Sequence, residues 1–66
     1  MNTIAERIDA VATRLREEGW DVTHTDGDLE ARQGQATVIL TRDGGVISED
    51  YGARLYVETI YSSTGA

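Results

Sequence analysis

Residues 19–45 read GWDVTHTDGDLEARQGQATVILTRDGG, and their glycines divide the stretch into short strand-like segments. Apolar and polar residues alternate with a period of two in residues 20–23 and 28–32, as in strands that bury one face. Residues 36–42 are rich in Val, Ile and Thr, which favour β-structure. The stretch therefore predicts three successive strands.

Three tight turns are predicted, two between these segments and one after the last of them. They are Asp26-Gly27, Gln33-Gly34-Gln35 and Asp43-Gly44-Gly45. Glycine adopts a positive φ without steric cost, which is why it is frequent in such turns. Connections this short join antiparallel neighbours, so we expect a meander.

The residues before Gly19 predict one amphipathic helix. Thr3 and Glu6 have the T-x-x-E spacing of a capping box, which marks a helix start. Apolar residues then recur at spacings of four, three and four, forming one buried stripe: Ile4, Ile8, Val11 and Leu15. Gly19 follows as the expected helix stop.

The C-terminal third is predicted to continue the meander. We expect a short strand over residues 46–49, a bend or bulge over 50–52 and a last strand over 53–61. Residues 62–66 are small and polar, which predicts a flexible tail. The predicted fold class is α+β, with one N-terminal helix packed on a four- to five-stranded antiparallel β-meander in a single domain, residues 1–61.

Strand alternation divides the apolar residues between two faces of this sheet. The residues predicted to face the helix are Trp20, Val22, Leu29, Ala31, Val38, Leu40, Leu55 and Val57. Ile39, Tyr56 and Ile60 have the opposite parity and are predicted to form an apolar patch on the outer face. Two interpretations remain open: scattered exposed apolar residues are normal and a bulge could redirect one inward, or the patch contacts a partner or a second copy.

Composition excludes several classes of protein. The 66 residues contain no cysteine and one histidine, which rules out disulfides and Cys-based zinc sites. Twelve acidic residues against six basic ones give a net charge of −6, which disfavours direct binding of nucleic acid or anionic membranes. No apolar run approaches the length of a membrane span. We expect a cytoplasmic protein without a cofactor.

Catalytic and metal-binding patterns are weak. His24 has no serine in a nucleophile context near it, so we expect no catalytic residues and no enzyme. Asp26, Asp28 and Glu30 alternate as calcium ligands can, but the sequence does not match the twelve-residue calcium loop. We therefore expect no metal site.

The acidic residues of the first predicted hairpin suggest a protein partner instead. Asp21, Asp26, Asp28 and Glu30 belong to residues 20–35, which contain four acidic residues and one basic residue. Same-face carboxylates along a strand repeat about every 6.6 Å, close to the spacing of nucleic-acid phosphates. The first hypothesis is a non-enzymatic module that binds a basic, nucleic-acid-binding protein, such as a viral-type inhibitor of a CRISPR or nuclease complex. The alternative is a small domain that forms a homodimer through the outer sheet face and owes its acidity to solubility or salt adaptation.

Overall fold

The computed structural model describes residues 3–65 and has two helices and four strands. In chain order they are α1 (Ile4–Glu17), β1 (Asp21–Thr25), β2 (Asp28–Gln33), β3 (Ala36–Leu40), β4 (Val46–Ser48) and α2 (Tyr51–Thr64). The strands form one antiparallel sheet in the order β1-β2-β3-β4. The predicted α+β class, N-terminal helix and antiparallel sheet are confirmed, with four strands.

Helix α1 begins at the predicted capping box. The backbone N–H of Glu6 donates to Thr3 Oγ1 at 3.1 Å, and the Thr3 N–H donates to Glu6 Oε1 at 3.0 Å. Two N–H groups that the helix cannot pair internally are thereby satisfied. Gly19, with a φ of 92°, lets the chain reverse directly into β1.

Two tight hairpins fix the register of the first three strands. Asp26 and Gly27 have φ values of 50° and 90°, the positive pair that a type I′ turn requires. The next hairpin has Gly34 in its first central position with a φ of 61°, as in a type II′ turn. These turns match the right-handed twist of the strands, so the pairing is continuous on both sides of β2.

The prediction of a strand over residues 53–61 is wrong, because this segment lies within α2. Asp50, predicted to be part of a bend, is the N-cap, and its Oδ1 accepts from the N–H of Ala53 at 2.9 Å. Residues 62–64, which we assigned to a flexible tail, form the last part of this helix, and Ala66 lies outside the described residues.

Both helices pack on the same face of the sheet, giving a two-layer fold. Helix α1 lies over β1 and β2, and α2 lies over β3 and β4. The buried apolar side chains between the layers are Ile8, Val11, Ala12, Leu15, Trp20, Val22, Leu29, Ala31, Val38, Leu40, Val57 and Ile60. Two residues predicted for this core are instead exposed, Ile4 at the start of α1 and Leu55 on α2.

The helices are too short to cross a bilayer. Within residues 3–65, neither helix reaches the length and hydropathy that a membrane span requires.

Candidate functional site

The outer face of the sheet, opposite both helices, is the most distinctive surface of the molecule. Strand register places Thr23, Glu30, Ile39 and Ile47 side by side in one row across all four strands. Neither helix contacts this row, because the residues facing the helices have the opposite parity along each strand. We call it the outer row.

Two apolar side chains occupy half of the outer row. Ile39 is half-buried, and its cross-strand neighbour Ile47 is 60% exposed. They lie in a shallow groove of about 490 Å³. Its remaining lining is polar or acidic and consists of Gln35, Thr37, Ser48, Glu49 and Asp50. An apolar centre with a polar rim is the usual composition of a protein-contact surface.

The acidic residues predicted from the first hairpin occupy three different positions. Asp21 and Glu30 lie on the outer face, but Arg32 stands opposite Asp21 and its Nη2 lies 3.2 Å from Glu30 Oε1. Asp28 Oδ1 accepts from the backbone N–H of Arg42 at 2.7 Å and so supports the neighbouring loop. Asp26 lies in the turn itself.

The predicted position of Tyr56 and Ile60 on the outer face is wrong, because both belong to α2 on the other side of the sheet. Ile60 is only 6% exposed and belongs to the core. Tyr56 is half-exposed beside Trp20, with ring centroids 6.1 Å apart and planes at 12°. Of the predicted Ile–Tyr–Ile patch, only Ile39 lies on the outer face.

Ile47 is the outer-face residue that sequence reasoning missed. A signal for it existed: the Asp43-Gly44-Gly45 turn pairs Leu40 with Val46, which places Ile47 opposite Ile39. Counting the register through this turn would have assigned Ile47 to the same face.

A polar cluster joins the end of α1 to α2. The Tyr56 hydroxyl donates to Glu18 Oε1, and Arg14 Nε donates to Glu18 Oε2 at 2.7 Å. The Tyr56 bond, followed by the Arg14 bond, lowers the pKa of Glu18 below its usual value. The same carboxylate raises the pKa of Tyr56 above its usual value. Because Glu18 accepts from Arg14 on α1 and from Tyr56 on α2, the cluster serves to hold the two helices together.

The side chains that bear catalytic or metal-binding chemistry do not converge. Within residues 3–65 no group of three His, Asp or Glu side chains could hold a metal ion. His24 is exposed at the end of β1, where its cross-strand neighbour is the apolar Leu29. A general base needs an orienting partner and a nucleophile within hydrogen-bond reach, and the β1 end offers neither among the described residues.

Comparison with known proteins adds no relative to this description. No protein-family model, no curated protein and no solved structure matches the chain.

Proposed function

We propose that the protein is a small acidic binding module without catalytic activity, which contacts a basic protein partner through the outer face of its sheet. The observation that carries this proposal is Ile47, 60% exposed beside Ile39 on a sheet face that neither helix covers. The uncovered face of an antiparallel sheet is normally polar, and apolar side chains clustered on such a face are a mark of contact surfaces.

Charge supports a basic partner. Glu30 adjoins the apolar pair within the outer row, and Glu49 and Asp50 line the groove beside it. With a net charge of −6, the molecule attracts a cationic surface over a distance of about one Debye length, roughly 8–10 Å. Such attraction mainly speeds encounter, while the isoleucines would supply the area removed from water.

Imitation of a nucleic-acid backbone is the narrower form of this proposal. Asp28 and Glu30 are two residues apart on one strand face, at a spacing of about 6.6 Å. Arg32 lies within the same acidic group and pairs with Glu30, which interrupts the run of negative charge. The structure therefore gives the general form of the proposal more support than the narrower one.

A capture experiment tests the general form. Tagged wild-type protein, an Ile39→Ser/Ile47→Ser variant and a Tyr51→Ser control would be exposed to lysate of the source organism. Tyr51 is 67% exposed on α2 in the other layer, so the control removes a comparable apolar side chain away from the outer row. We expect the wild type and the control to retain a common basic protein that the double variant loses. Equal retention by all three would refute the outer face as the binding surface.

The narrower form requires competition. Once the captured protein is purified, single-stranded or double-stranded nucleic acid should displace the module from it if the module and the nucleic acid occupy the same groove. An Asp28→Asn/Glu30→Gln variant should then associate more slowly and lose salt sensitivity. A ternary complex of the module, its partner and nucleic acid would refute mimicry but would not contradict the proposal of a binding module.

A further inference from the structure

The sheet has two edges, and only one of them is protected. Strand β4 has three residues and leads through Glu49 and Asp50 into α2. Strand β1 has five residues, pairs with β2 on one side only, and has no proline, lysine or bulge along its length; its one acidic side chain, Asp21, lies at its first residue. Proteins normally block a free edge with one of these devices, because its backbone N–H and C=O groups can pair with another strand.

From this edge and the helix above it, we infer that two copies of the chain associate through β1, giving a continuous eight-stranded antiparallel sheet about a twofold axis at Thr23. This contact is made by the free backbone edge of β1. Although the Thr23 side chain belongs to the outer row, Ile39 and Ile47 lie on β3 and β4, away from that edge, and stay open on both copies. The contact therefore does not depend on the proposed function.

The sequence of β1 suits pairing with itself. In an antiparallel register centred on Thr23, the two copies of Thr23 face each other, a cross-strand pair that favours sheets. Val22 stands opposite the partner's His24, and Asp21 stands opposite the partner's Thr25. No acidic residue faces another acidic residue, although each copy has a net charge of −6.

Helix α1 provides a second contact at the same axis. Arg7 and Glu18 contact α2 through Tyr61 and Tyr56, so the opposite flank of α1 projects over the free edge of β1. With 3.6 residues per turn, this flank holds Ala5, Asp9 and Arg16; all three are exposed.

The charges on this flank of α1 are complementary to those on the same flank of a second copy. The two α1 helices would run antiparallel about 10 Å apart, since each lies over β1 and β2 and strands are about 4.8 Å apart. That separation is typical of packed helices. Asp9 then faces the partner's Arg16, and the symmetry creates this ion pair twice. Within residues 3–65, neither Asp9 nor Arg16 has an ion pair of its own chain.

Disulfide trapping tests the register directly, because the chain contains no cysteine. Paired residues in antiparallel strands have Cα atoms about 4.5–5.5 Å apart, within the range that a disulfide spans. Under mild oxidation, Thr23→Cys should give a covalent dimer, whereas Thr37→Cys, an exposed threonine on the interior strand β3, should not. Cross-linking of Thr37→Cys alone, equal cross-linking of both, or none at all would overturn the inference.

Charge exchange tests the helix contact by sedimentation equilibrium. Asp9→Arg and Arg16→Asp should each raise the dimer dissociation constant roughly tenfold, and the double exchange should restore it. Glu17→Arg makes the same charge change as Asp9→Arg on another side of α1 and should not weaken the dimer. Circular dichroism would verify that each variant is folded. A monomeric wild type, or a double exchange as weak as its single changes, would contradict the inference.

Discussion

The guanidinium carbon Cζ of Arg7 lies over the ring of Tyr61, 4.0 Å from its centroid, while Arg7 Nη2 donates to the Tyr61 carbonyl at 3.1 Å. Arg7 Nε also donates to Thr64 Oγ1 at 3.1 Å. Helix α2 has no basic residue in its last turn, so Arg7 brings from α1 the positive charge that a helix C-terminus favours. One side chain therefore fastens the end of α2 to the first turns of α1.

Replacing Arg7 with leucine should destabilise the domain by about 1–2 kcal/mol, since a cation–π contact and two hydrogen bonds from a charged group are lost. Thermal and urea unfolding, followed by circular dichroism, would measure the change. Arg54→Leu is the matched control, because Arg54 makes a longer cation–π contact, 5.5 Å from the centroid of Tyr51, and a partly exposed pair with Glu58, both within α2. It should therefore cost less than Arg7→Leu. Equal losses in the two variants would show that the Arg7 contacts do not contribute specifically.

Trp20 is the largest side chain of the core, and its truncation should have the largest effect. It is 7% exposed, follows the helix stop and stacks beside Tyr56. Trp20→Ala should cost about 3–5 kcal/mol, which is comparable to the whole stability of a chain of this size. We expect loss of the cooperative thermal transition, with Trp20→Phe intermediate. A melting temperature unchanged from wild type in Trp20→Ala would refute its role in the core.

The hydrogen bond between Tyr56 and Glu18 should make the free energy of unfolding depend on pH at both low and high pH. The raised pKa of Tyr56 means that its contribution is present below the unfolded-state value of about 10 and is lost as the pH rises through the folded value. The lowered pKa of Glu18 means that its contribution is present above 4.5 and is lost as the pH falls through the folded value. The effect is small, because the groups are solvent-accessible.

Tyr56→Phe isolates this effect by removing the hydroxyl and keeping the ring stacked. The stability difference from wild type should be largest between about pH 5 and pH 9 and should shrink towards both extremes. In Glu18→Gln, NMR titration of the Tyr56 ring should show ionisation at a lower pH than in wild type. An unchanged Tyr56 titration would show that Glu18 does not hold its proton.

Local patterns sufficed for the first two thirds of the fold because each element there has its own signal. The capping box at Thr3 and the turn at Asp26-Gly27 determine conformation within a few residues. The sequence of helix α2 has no such clear local signal. Residues 56–61 contain Tyr, Val, Thr and Ile, which favour strands, and their apolar and polar residues can be assigned to the alternating faces of a strand. Contacts with Arg7 and Glu18, distant in sequence, contribute to the helix, so local propensity was overruled.

The same ambiguity determined which residues of the candidate site could be foreseen. Ile39 was placed correctly because β3 has a clear alternation, with Val38 and Leu40 buried on either side. Tyr56 and Ile60 were misplaced together with the strand to which they were assigned. The sequence also contained signals for a helix: Val57 and Ile60 are three residues apart, and Arg54 and Glu58 form an i, i+4 pair.

Gly44 should be the glycine least tolerant of a side chain, because two penalties coincide there. Its φ is 95°, and a Cβ would lie 2.8 Å from the Tyr61 hydroxyl, whose ring is held by Arg7. Gly19 has a similar φ of 92° but nothing within 4 Å of a Cβ, so it reports backbone strain alone. Placing a residue with a Cβ in this left-handed backbone conformation costs about 1–2 kcal/mol.

Gly44→Ala should therefore destabilise the domain more than Gly19→Ala, and the excess should depend on the Tyr61 hydroxyl. Tyr61→Phe removes the atom that the new methyl group meets, so the cost of Gly44→Ala should fall in that background towards the cost of Gly19→Ala. Urea unfolding of the four proteins in this double-mutant cycle measures the coupling between the two positions. A coupling of zero would mean that the loop moves away from α2 at no cost, and that the close approach of Gly44 to Tyr61 does not constrain the β3–β4 hairpin.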